Sequence, residues 1–415
     1  MTQPVQDLVE VALLTGGADR PYAFGLATAL MSKGIGLDLI AGDELDSPEF
    51  HGAPGVNFLN LRGNQTTDAT LRSKATRVLM YYGRLVRYAF IAKPKIFHIL
   101  WNNKFETIDR TVLTLYYKWL GKKVILTVHN VNAGVRDATD TVLNRMTLRI
   151  QYRLADHLFV HTGKMKDQLT AVWSVPESAI TVIPFGINNA VPDTAVTPAE
   201  AKQRLGIGPG EKTILFFGTI APYKGVEYLV SAFERLVAER GDYRLIIAGR
   251  PRKDSEQYWD AIRMKIHGID EGRVIRKIEF IPDADTELYF KAADVLILPY
   301  TEIFQSGVLF LGYSFGLPVI AADVGSLRDD IVQGETGFVC RPCDADDLAH
   351  TIDRYFASDL FSELPSRRCR IREYAAARHS WETVSEKTKS VYTGLLANTF
   401  TADERADGAR KQPAL

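Results

Sequence analysis

The stretch from Ala292 to Gly337 restricts the fold more than any other part of the chain. It holds a buried-strand pattern (Val295–Leu298), an apolar helical run (Ser306–Phe315) and a second strand pattern (Val319–Ala322). This order is typical of a βαβ unit in a parallel sheet. The loop before such a helix directs backbone N–H groups and the positive end of the helix dipole to the crevice above the sheet, where phosphates bind. We therefore expect a nucleotide site here.

Part of this stretch, Ile303–Ala322, contains no charged residue and is long enough for a membrane span. Polar residues, three glycines and Pro318 interrupt it. These interruptions favour a loop, a helix and a strand in a buried core. The chain begins without a basic leader and has Asp7 and Glu10 before or within its first apolar run, so we expect a strand there and no signal peptide.

The composition is that of an ordinary globular protein, with 46% apolar and 24% charged residues. The net charge is zero, so no overall field attracts nucleic acid, and we expect no nucleic-acid partner. Three cysteines are too few for a disulfide framework, which favours a reducing, cytoplasmic location. A length of 415 residues predicts two or three domains.

Strand and helix signals alternate in two separate series. The first predicts strands at Val9–Leu14, Leu37–Ala41, Val56–Leu59, Lys95–Leu100, Val124–Val128 and His157–His161, with helices at Arg20–Lys33, Thr67–Ile91 and Thr139–Leu154. The second predicts strands at Thr213–Phe217, Arg244–Ala248, Val274–Ile281, Val295–Leu298, Val319–Ala322 and Phe338–Cys340. We therefore expect an α/β protein with two doubly wound, Rossmann-like parallel-sheet domains that face each other across a cleft.

The predicted domains are residues 1–190 and 213–375, joined by a Pro- and Gly-rich linker at 191–212 that contains one short helix capped by Thr197. A charged helix is expected at 376–400. The polar residues 401–415 predict a disordered tail.

A second phosphate-binding pattern, LFFGTIAPYKGVEYLVSAF, opens the second series. Gly218 ends the strand, and Lys224 and Gly225 stand where a helix begins. The Lys224 ammonium group and nearby N–H groups fit a diphosphate. The alternative is a solvated lysine at a helix start.

These patterns resemble glycosyltransferase family 4, a family of retaining enzymes with the two-domain GT-B fold. The matching pieces are Gly218, Lys224–Gly225, AADVLILPY, SGV…GLPVIAADVGS and IVQGETGFV, with weaker matches at TVHNVN and VIPFGI. RHSWETVSEKTKSVY resembles the C-terminal helix that crosses back to the first domain in that fold. The resemblance implies transfer of a sugar from a nucleoside diphosphate sugar to a saccharide or lipid-linked acceptor bound in the first domain.

The resemblance also assigns a donor site. Lys224 would contact the diphosphate, and the start of the helix after Gln305 would offer backbone N–H groups. Thr219 stands where the family often has arginine, and Arg250 or Arg252 is the candidate for the missing cation. The residues expected to bind the donor are Gly218, Thr219, Lys224, Arg250, Gln305, Ser306, Gly307 and Val308.

The chain departs from the family at two glutamates, whose positions are occupied by Ile303 and Leu311. The second family glutamate binds ribose hydroxyls, and leucine cannot. Glu302, one residue from the first position, is a candidate catalytic residue that would contact the donor sugar. Gln305 is a second candidate, because an amide bonds sugar hydroxyls.

In the first domain, His129 ends a predicted buried strand at a position where the family has a histidine that contacts the donor sugar. It is therefore a second candidate catalytic residue; a structural histidine is the alternative. The amides of Asn130 and Asn132 are expected on the sugar or acceptor side. Gly16 and Gly17 permit close approach of a ligand, although a tight turn explains them almost as well.

No cofactor or metal is expected, because the helix dipole and Lys224 offset the charge that develops on the leaving diphosphate. Asp283 and Asp285 have the spacing of a metal motif, but N-capping of a helix is the better explanation. Cys340 and Cys343 have CxxC spacing without a second ligand pair, which argues against a zinc or redox site.

The segment 62–95 is basic, with one acid, Asp68, and interleaved aromatic residues. It predicts a peripheral contact with an anionic membrane on its inner face, which suits a lipid-linked acceptor; a solvated helix face is the alternative. The basic residues are Arg62, Arg72, Lys74, Arg77, Arg84, Arg87, Lys93 and Lys95.

The favoured function is that of a metal-independent glycosyltransferase in polysaccharide or glycoconjugate assembly. The loss of both glutamates supports an alternative, a degenerate GT-B protein that binds a nucleotide sugar or a partner without transfer. A nucleotide-sugar epimerase is a third hypothesis. It needs an acid–base cluster, for which only His129 and Glu302 are available.

Overall fold

The computed structural model describes residues 9–17, 19–63, 71–137, 139–187, 191–269 and 271–397. These residues form two compact units. The first contains the described residues up to Gly186 and those from Trp381 onward, and the second contains Ile187–Ser380. The segment 191–212, interpreted from sequence as a linker, lies in the second unit. The expected tail, 401–415, lies outside the described residues.

The first unit is built on a seven-stranded parallel sheet with the order β3-β2-β1-β4-β5-β6-β7. Its strands are β1 (Glu10–Leu14), β2 (Gly36–Ala41), β3 (Val56–Asn60), β4 (Ile96–Ile99), β5 (Lys123–Val128), β6 (His157–Val160) and β7 (Ile180–Val182). Six of these strands were predicted within one or two residues. The seventh, β7, was not.

Helices cover both faces of this sheet, as expected for a doubly wound fold. They are α1 (Arg20–Ser32), α2 (Leu71–Ile91), α3 (Glu106–Ile108), α4 (Thr114–Trp119), α5 (Ala133–Arg136), α6 (Val142–Leu154), α7 (Gly163–Trp173) and α16 (Trp381–Leu396). Between α3 and α4 the backbone is π-helical over Asp109–Leu113. The last helix, α16, packs on α1, and its Val384 and Tyr392 are fully buried in the core of this unit.

The second unit contains a six-stranded parallel sheet with the order β10-β9-β8-β11-β12-β13. Its strands are β8 (Lys212–Phe217), β9 (Tyr243–Ala248), β10 (Val274–Lys277), β11 (Val295–Leu298), β12 (Val319–Ala322) and β13 (Gly337–Cys340). All six were predicted. However, β10 ends four residues earlier than expected, because it is an edge strand that pairs only with β9.

The helices of the second unit are α8 (Pro198–Arg204), α9 (Val226–Glu239), α10 (Glu256–His267), α11 (Asp283–Ala292), α12 (Gly307–Ser314), α13 (Ala345–Phe356), α14 (Asp359–Ser362) and α15 (Leu364–Arg378). Thr197 caps α8 through a capping box with Glu200, as predicted. The uncharged stretch 303–322 forms a loop, α12 and β12. Among the described residues, the helices do not combine the length and the apolar character that crossing a membrane requires.

Strand order places the candidate site in each unit. In the second unit the chain winds outward in one direction from β8 and in the other from β11, and these two strands pair. Ligands of open α/β sheets bind at the carboxyl ends of strands where the order reverses in this way. In the first unit β4, β5 and β6 are neighbours, so the residues that follow them share one edge of the sheet.

Candidate functional site

Lys224 lies at the switch point of the second unit with its side chain buried, only 6% of the residue being exposed. Its ammonium nitrogen is 3.9 Å from the ring centroid of Tyr300 and 5.3 Å from that of Tyr223, both within cation–π range. The next residue, Gly225, has φ +62°, and a Cβ atom there would overlap the carbonyl oxygen of Pro299. Glycine therefore lets the Lys224 loop lie directly on the end of β11.

The loop that follows β11, residues 299–306, is attached to the Lys224 loop. The amide of Thr301 donates to the carbonyl oxygen of Tyr223 at 2.9 Å. The hydroxyls of Tyr300 and Ser306 lie 3.3 Å apart within hydrogen-bond distance. Two segments that are distant in sequence thus form one surface at the carboxyl edge of the sheet.

The N-terminus of α12 borders the same surface. Ser306 is its N-cap residue and makes no side-chain capping bond, and Gly307 opens the helix. A Cβ atom at Gly218, which ends β8, would lie 3.5 Å from Cγ2 of Val308. The structure therefore brings together Gly218, Lys224, Ser306, Gly307 and Val308, all of which were predicted to bind the donor; the binding itself stays a prediction. A buried ammonium group and free helix N–H groups suit an anion.

The other residues predicted to contact the donor are more exposed or already form an ion pair. Thr219 and Arg250 are exposed. Arg250 belongs to the same edge, since its carbonyl oxygen accepts from the Ile220 amide at 2.9 Å. Arg252, the other candidate for the missing cation, is engaged by Asp254 at 2.6 Å.

The two glutamate positions confirm the departure seen in the sequence. Leu311 is buried, 6% exposed, so that position contributes to the core and offers no polar atom. The carbonyl oxygen of Ile303 stands where a Cβ atom of Gly325 would be, which fixes the loop. Glu302 is exposed and forms no hydrogen bond or ion pair with the described residues. The structure therefore shows no interaction that would orient the Glu302 carboxylate for catalysis.

Gln305 is half-buried, and its amide has hydrogen-bonding surroundings that sequence reasoning missed. Its Nε2 donates to Oδ2 of Asp330 at 3.4 Å, and its Oε1 is buried without a partner among the described residues. Asp330 also has Nε2 of His379 3.8 Å from its other oxygen. Burial raises the pKa of Asp330 to about 6, partly offset by the Gln305 bond. The amide oxygen of Gln305 therefore has unused hydrogen-bonding capacity within the described residues.

In the first unit His129 lies in an aromatic cluster. Its ring stacks on Trp101, with centroids 4.0 Å apart, and Tyr22 meets it edge-on at 4.7 Å. Its Nδ1 is 3.1 Å from Nε2 of His161, whereas its own Nε2 is buried without a partner among the described residues. Trp101, His129 and His161 follow β4, β5 and β6, so neighbouring strand ends assemble the cluster.

Burial also sets the charge of this cluster. It holds the pKa of His129 well below its usual value, with smaller contributions from His161 and His98. It lowers the pKa of His161 to about 4, against an opposing effect of the Ile183 and Pro184 backbone. Both imidazoles are neutral at pH 7, so His129 offers one uncharged hydrogen bond through Nε2.

Gly16 and Gly17 leave room for other parts of the protein, which is a different reason for glycine from the predicted approach of a ligand. Both have positive φ, +65° and +73°. A Cβ atom at Gly16 would overlap the backbone of Trp101, and one at Gly17 would overlap the guanidinium of Arg62. The two glycines therefore allow Trp101, which stacks on His129, and the guanidinium of Arg62 to lie directly against this turn.

Asn132 has a structural role that the sequence did not indicate. Its Oδ1 caps α5 by accepting from the Gly134 amide at 3.1 Å and also accepts from Asn144 at 2.9 Å. Its Nδ2 donates to Asp140, which leaves one N–H for a ligand. Asn130 accepts from the Asn132 amide at 3.1 Å. Contact of either amide with a sugar stays a prediction.

The two alternative metal motifs are explained by local structure. Asp283 and Asp285 lie in the first turn of α11, where the helix dipole favours them. The N-cap is Pro282, so the prediction that these acids cap the helix was wrong. Cys340 is buried and Cys343 is exposed, and both are free thiols. The described residues contain no group of three or more His, Cys, Asp or Glu that could hold a metal ion.

Two family profiles match the chain in sequence order. The family described as "Glycosyltransferase Family 4" matches residues 15–191, and the one described as "Glycosyl transferases group 1" matches residues 211–358. The profiles together span most of the chain: the first covers β2 to β7 of the first unit, and the second covers all six strands of the second unit. The first carries the name of the family that the sequence motifs resemble, and the second is also a glycosyltransferase profile.

Similar proteins agree with this assignment. An uncharacterized glycosyltransferase of Methanocaldococcus jannaschii is 27% identical over 239 residues, 55% of this chain and 57% of that protein, so the match spans little more than half of each. A D-inositol 3-phosphate glycosyltransferase of Nocardia farcinica is 25% identical over 416 residues, which cover 96% of this chain and 89% of that protein.

Among solved structures, Anabaena HepE in complex with UDP-glucose superposes with a TM-score of 0.71. The two are 16% identical, and the match covers 93% of this chain and 99% of that one. At this identity the likeness establishes the fold alone. Two parallel α/β sheets, the profile matches and these relatives lead to one assignment: the chain belongs to glycosyltransferase family 4 and has the GT-B fold.

Proposed function

We propose that this protein transfers a sugar from a nucleoside diphosphate sugar to a saccharide or lipid-linked acceptor. One observation supports the donor class above the others: the buried ammonium of Lys224 lies in the same surface as the N-terminus of α12. A diphosphate is the ligand that fits a cation beside free helix N–H groups. HepE, which is similar in fold, has been solved with UDP-glucose bound, in agreement with this donor class.

The proposed chemistry uses groups of the chain alone, without a metal ion. When the sugar–phosphate bond breaks, negative charge grows on the leaving diphosphate. Lys224 and the N–H groups of Gly307 and Val308 stabilise this charge. In the first unit, neutral His129 donates or accepts one hydrogen bond at the transferred sugar without repelling its positive charge. Retention of configuration is part of the proposal by family membership.

Gln305 is proposed to make a hydrogen bond to the donor in place of those made by the missing glutamates. Its buried Oε1 lacks a partner among the described residues, and Asp330 holds the other end of the amide. An amide oxygen accepts from a sugar or ribose hydroxyl as a carboxylate does, but more weakly because it has no charge. We therefore expect Gln305 to contribute to donor affinity, and Leu311 to contribute none.

The experiment is a calorimetric titration of the full chain with UDP, GDP, ADP and TDP, with magnesium or with EDTA. We expect one nucleotide to bind equally in both conditions. Lys224→Met should abolish that binding, and Lys265→Met, an exposed lysine on α10 of the same unit, should not alter it. Binding that needs magnesium, or equal binding by both variants, would contradict the proposal.

A second candidate function is nucleotide-sugar binding without transfer. The buried Leu311 supports it, because leucine has neither the negative charge nor the oxygen atoms of the glutamate that the family has at this position. Turnover separates the two functions. If a nucleotide binds but its sugar is neither hydrolysed nor transferred, the protein is a binding protein. NMR analysis of the first-formed anomer would test retention.

Contact with an anionic membrane through the segment 62–95 is also part of the proposal. Large apolar side chains of α2 are exposed next to its basic residues, unlike those of an ordinary solvated helix: Leu79, Met80, Phe90 and Ile91. On α4, which packs beside α2, Trp119 is 76% exposed. Co-sedimentation with phosphatidylglycerol vesicles at low salt tests this contact; absence of binding would contradict it.

A further inference from the structure

A pocket of about 220 Å³ opens beside α2 in the first unit. The described residues that line it include four cations, namely Arg62, Lys74, Arg77 and Lys104, and no carboxylate. Tyrosine and asparagine side chains form most of the remaining wall. A concave site with this lining selects an anion over a neutral saccharide.

The cation at the base of the pocket is held in place. Nη2 of Arg62 donates to Oδ1 of Asn103 at 3.1 Å, and its guanidinium lies 5.2 Å from the ring centroid of Tyr81. The Tyr81 hydroxyl donates to the same Asn103 oxygen at 2.6 Å, and Tyr81 is 7% exposed. A guanidinium has five N–H donors, so most remain for a ligand. This arrangement is preorganised for oxyanion binding.

The positive charge of the pocket is balanced only weakly within the described chain. Arg62, Lys74 and Lys104 form no ion pair with a described carboxylate. Asp109 is buried next to Asn103 and accepts from the backbone amide of Asn103 at 2.6 Å. The pocket thus presents a net positive field to solvent.

The pocket is connected to the candidate catalytic histidine. The guanidinium of Arg62 lies against Gly17, and the preceding Gly16 lies against Trp101, which stacks on His129. Each step is a direct contact within the first unit. A ligand anchored by Arg62 is therefore held near the group proposed to contact the transferred sugar.

We propose that this pocket binds a phosphate ester group of the acceptor, so that the acceptor is phosphorylated. The inference rests on the proposed function, because it assigns this unit to the acceptor. Arginine forks and ammonium groups match the three outer oxygens of a phosphate ester, and charge-assisted bonds of this kind are the strong ones. The ester belongs either to a soluble phosphorylated molecule or to a lipid headgroup.

Calorimetric titration of the full chain with glycerol 3-phosphate, and with glycerol for comparison, tests the proposal. We expect saturable binding of the phosphate ester only. The double variant Lys74→Met/Arg77→Gln should weaken it about tenfold or more. Arg87→Gln removes an exposed cation from the same helix outside the pocket and should leave it unchanged. Unchanged binding in the double variant, or no saturable binding, would overturn the proposal.

Vesicles of phosphatidylcholine with and without phosphatidylglycerol separate the two sources of phosphate. If the double variant loses both glycerol 3-phosphate and the anionic vesicles, the ester belongs to a headgroup. If it loses only glycerol 3-phosphate, the ester is soluble. Both results support the pocket.

The donor site provides an independent control. Lys224→Met should retain glycerol 3-phosphate binding; loss in this variant instead of the pocket variant would overturn the proposal. Failure of every nucleotide to bind, with phosphate-ester binding intact, would count against the proposed donor chemistry alone.

Discussion

Trp101 and His129 are stacked face to face, with ring centroids 4.0 Å apart and only 3° between their planes. The stack covers one face of the imidazole, and His161 occupies Nδ1. The ring therefore has one orientation, and its Nε2 has no hydrogen-bond partner among the described residues. Since burial also keeps the pKa of His129 well below its usual value, the group is a neutral hydrogen-bonding partner throughout the physiological pH range.

Replacing His129 tests this role. His129→Ala should lower turnover of the bound nucleotide sugar by about 10²–10³-fold, the usual effect of losing one preorganised transition-state contact. Nucleotide affinity should remain, because Lys224 and α12 lie in the other unit. Release of nucleoside diphosphate measures turnover, and His51→Ala, at an exposed histidine of the same unit, is the control. Wild-type turnover in His129→Ala would show a structural histidine.

Two glycines of the second unit separate backbone strain from steric overlap. Gly206 and Gly225 have similar φ values, +71° and +62°. A Cβ atom at Gly206 meets nothing within 4 Å, whereas at Gly225 it overlaps the Pro299 carbonyl oxygen. Gly206→Ala should cost about 1–2 kcal/mol of unfolding free energy, the penalty of the left-handed conformation.

Gly225→Ala should cost distinctly more and should also abolish nucleotide binding, because the Lys224 loop must move away from β11. Chemical denaturation and calorimetry measure the two effects. Equal destabilisation by both substitutions, with nucleotide binding retained in both, would show that the close approach at Gly225 is not required.

The sequence predicted the fold well wherever apolar strands were long and bounded by glycine or proline. The strands Val295–Leu298 and Val319–Ala322 are central, buried on both faces, and were located without error. The two errors fall at sheet edges. Ile180–Val182 is only three residues long and two of its residues are half-buried, so its β-branched residues do not make a run long enough to identify a strand. The predicted extension of β10 beyond Lys277 has no neighbouring strand to pair with.

The candidate site was predictable only in part, because its composition depends on strand order. His129 was found through the family resemblance, but its partners Trp101 and His161 follow strands that are adjacent only in the folded sheet. The Gln305–Asp330 contact joins residues 25 positions apart in sequence through the packing of two loops. Asp330 looks like an ordinary turn residue in the sequence, and only burial distinguishes it.

Acid should destabilise the first unit through His98. This residue is fully buried, with Nδ1 2.6 Å from the Tyr392 hydroxyl of α16 and Nε2 2.7 Å from Thr127. Burial, assisted by His157, lowers its pKa from 6.5 to about 3. Above pH 6.5 His98 is unprotonated in both the folded and the unfolded protein. As the pH falls from there towards 3, only the unfolded state gains the proton, so unfolding becomes more favourable.

The expected loss from His98 is about 2 kcal/mol at pH 5 relative to pH 7. Hydrogen exchange of β4 and α16 amides at the two pH values measures it within this unit. His98→Asn should have a shallower pH dependence by about this amount, whatever its absolute stability. An equal slope in variant and wild type would contradict the assignment, since His157 and His161 then account for the whole effect.

Asp330 should act in the opposite direction in the second unit. Its pKa is raised from 3.8 to about 6 because the carboxyl group is buried. Its contribution to stability is therefore complete below pH 3.8 and is lost as the pH rises through 6. This difference in pKa corresponds to roughly 3 kcal/mol of unfolding free energy at pH 7.5.

Asp330→Asn, which preserves an acceptor for Gln305, should remove that pH dependence, whereas Asp329→Asn, at the exposed neighbour, should not. Hydrogen exchange of β12 and β13 amides between pH 4.5 and 7.5 distinguishes them, and parallel curves for Asp330→Asn and wild type would mean that the carboxyl group ionises normally.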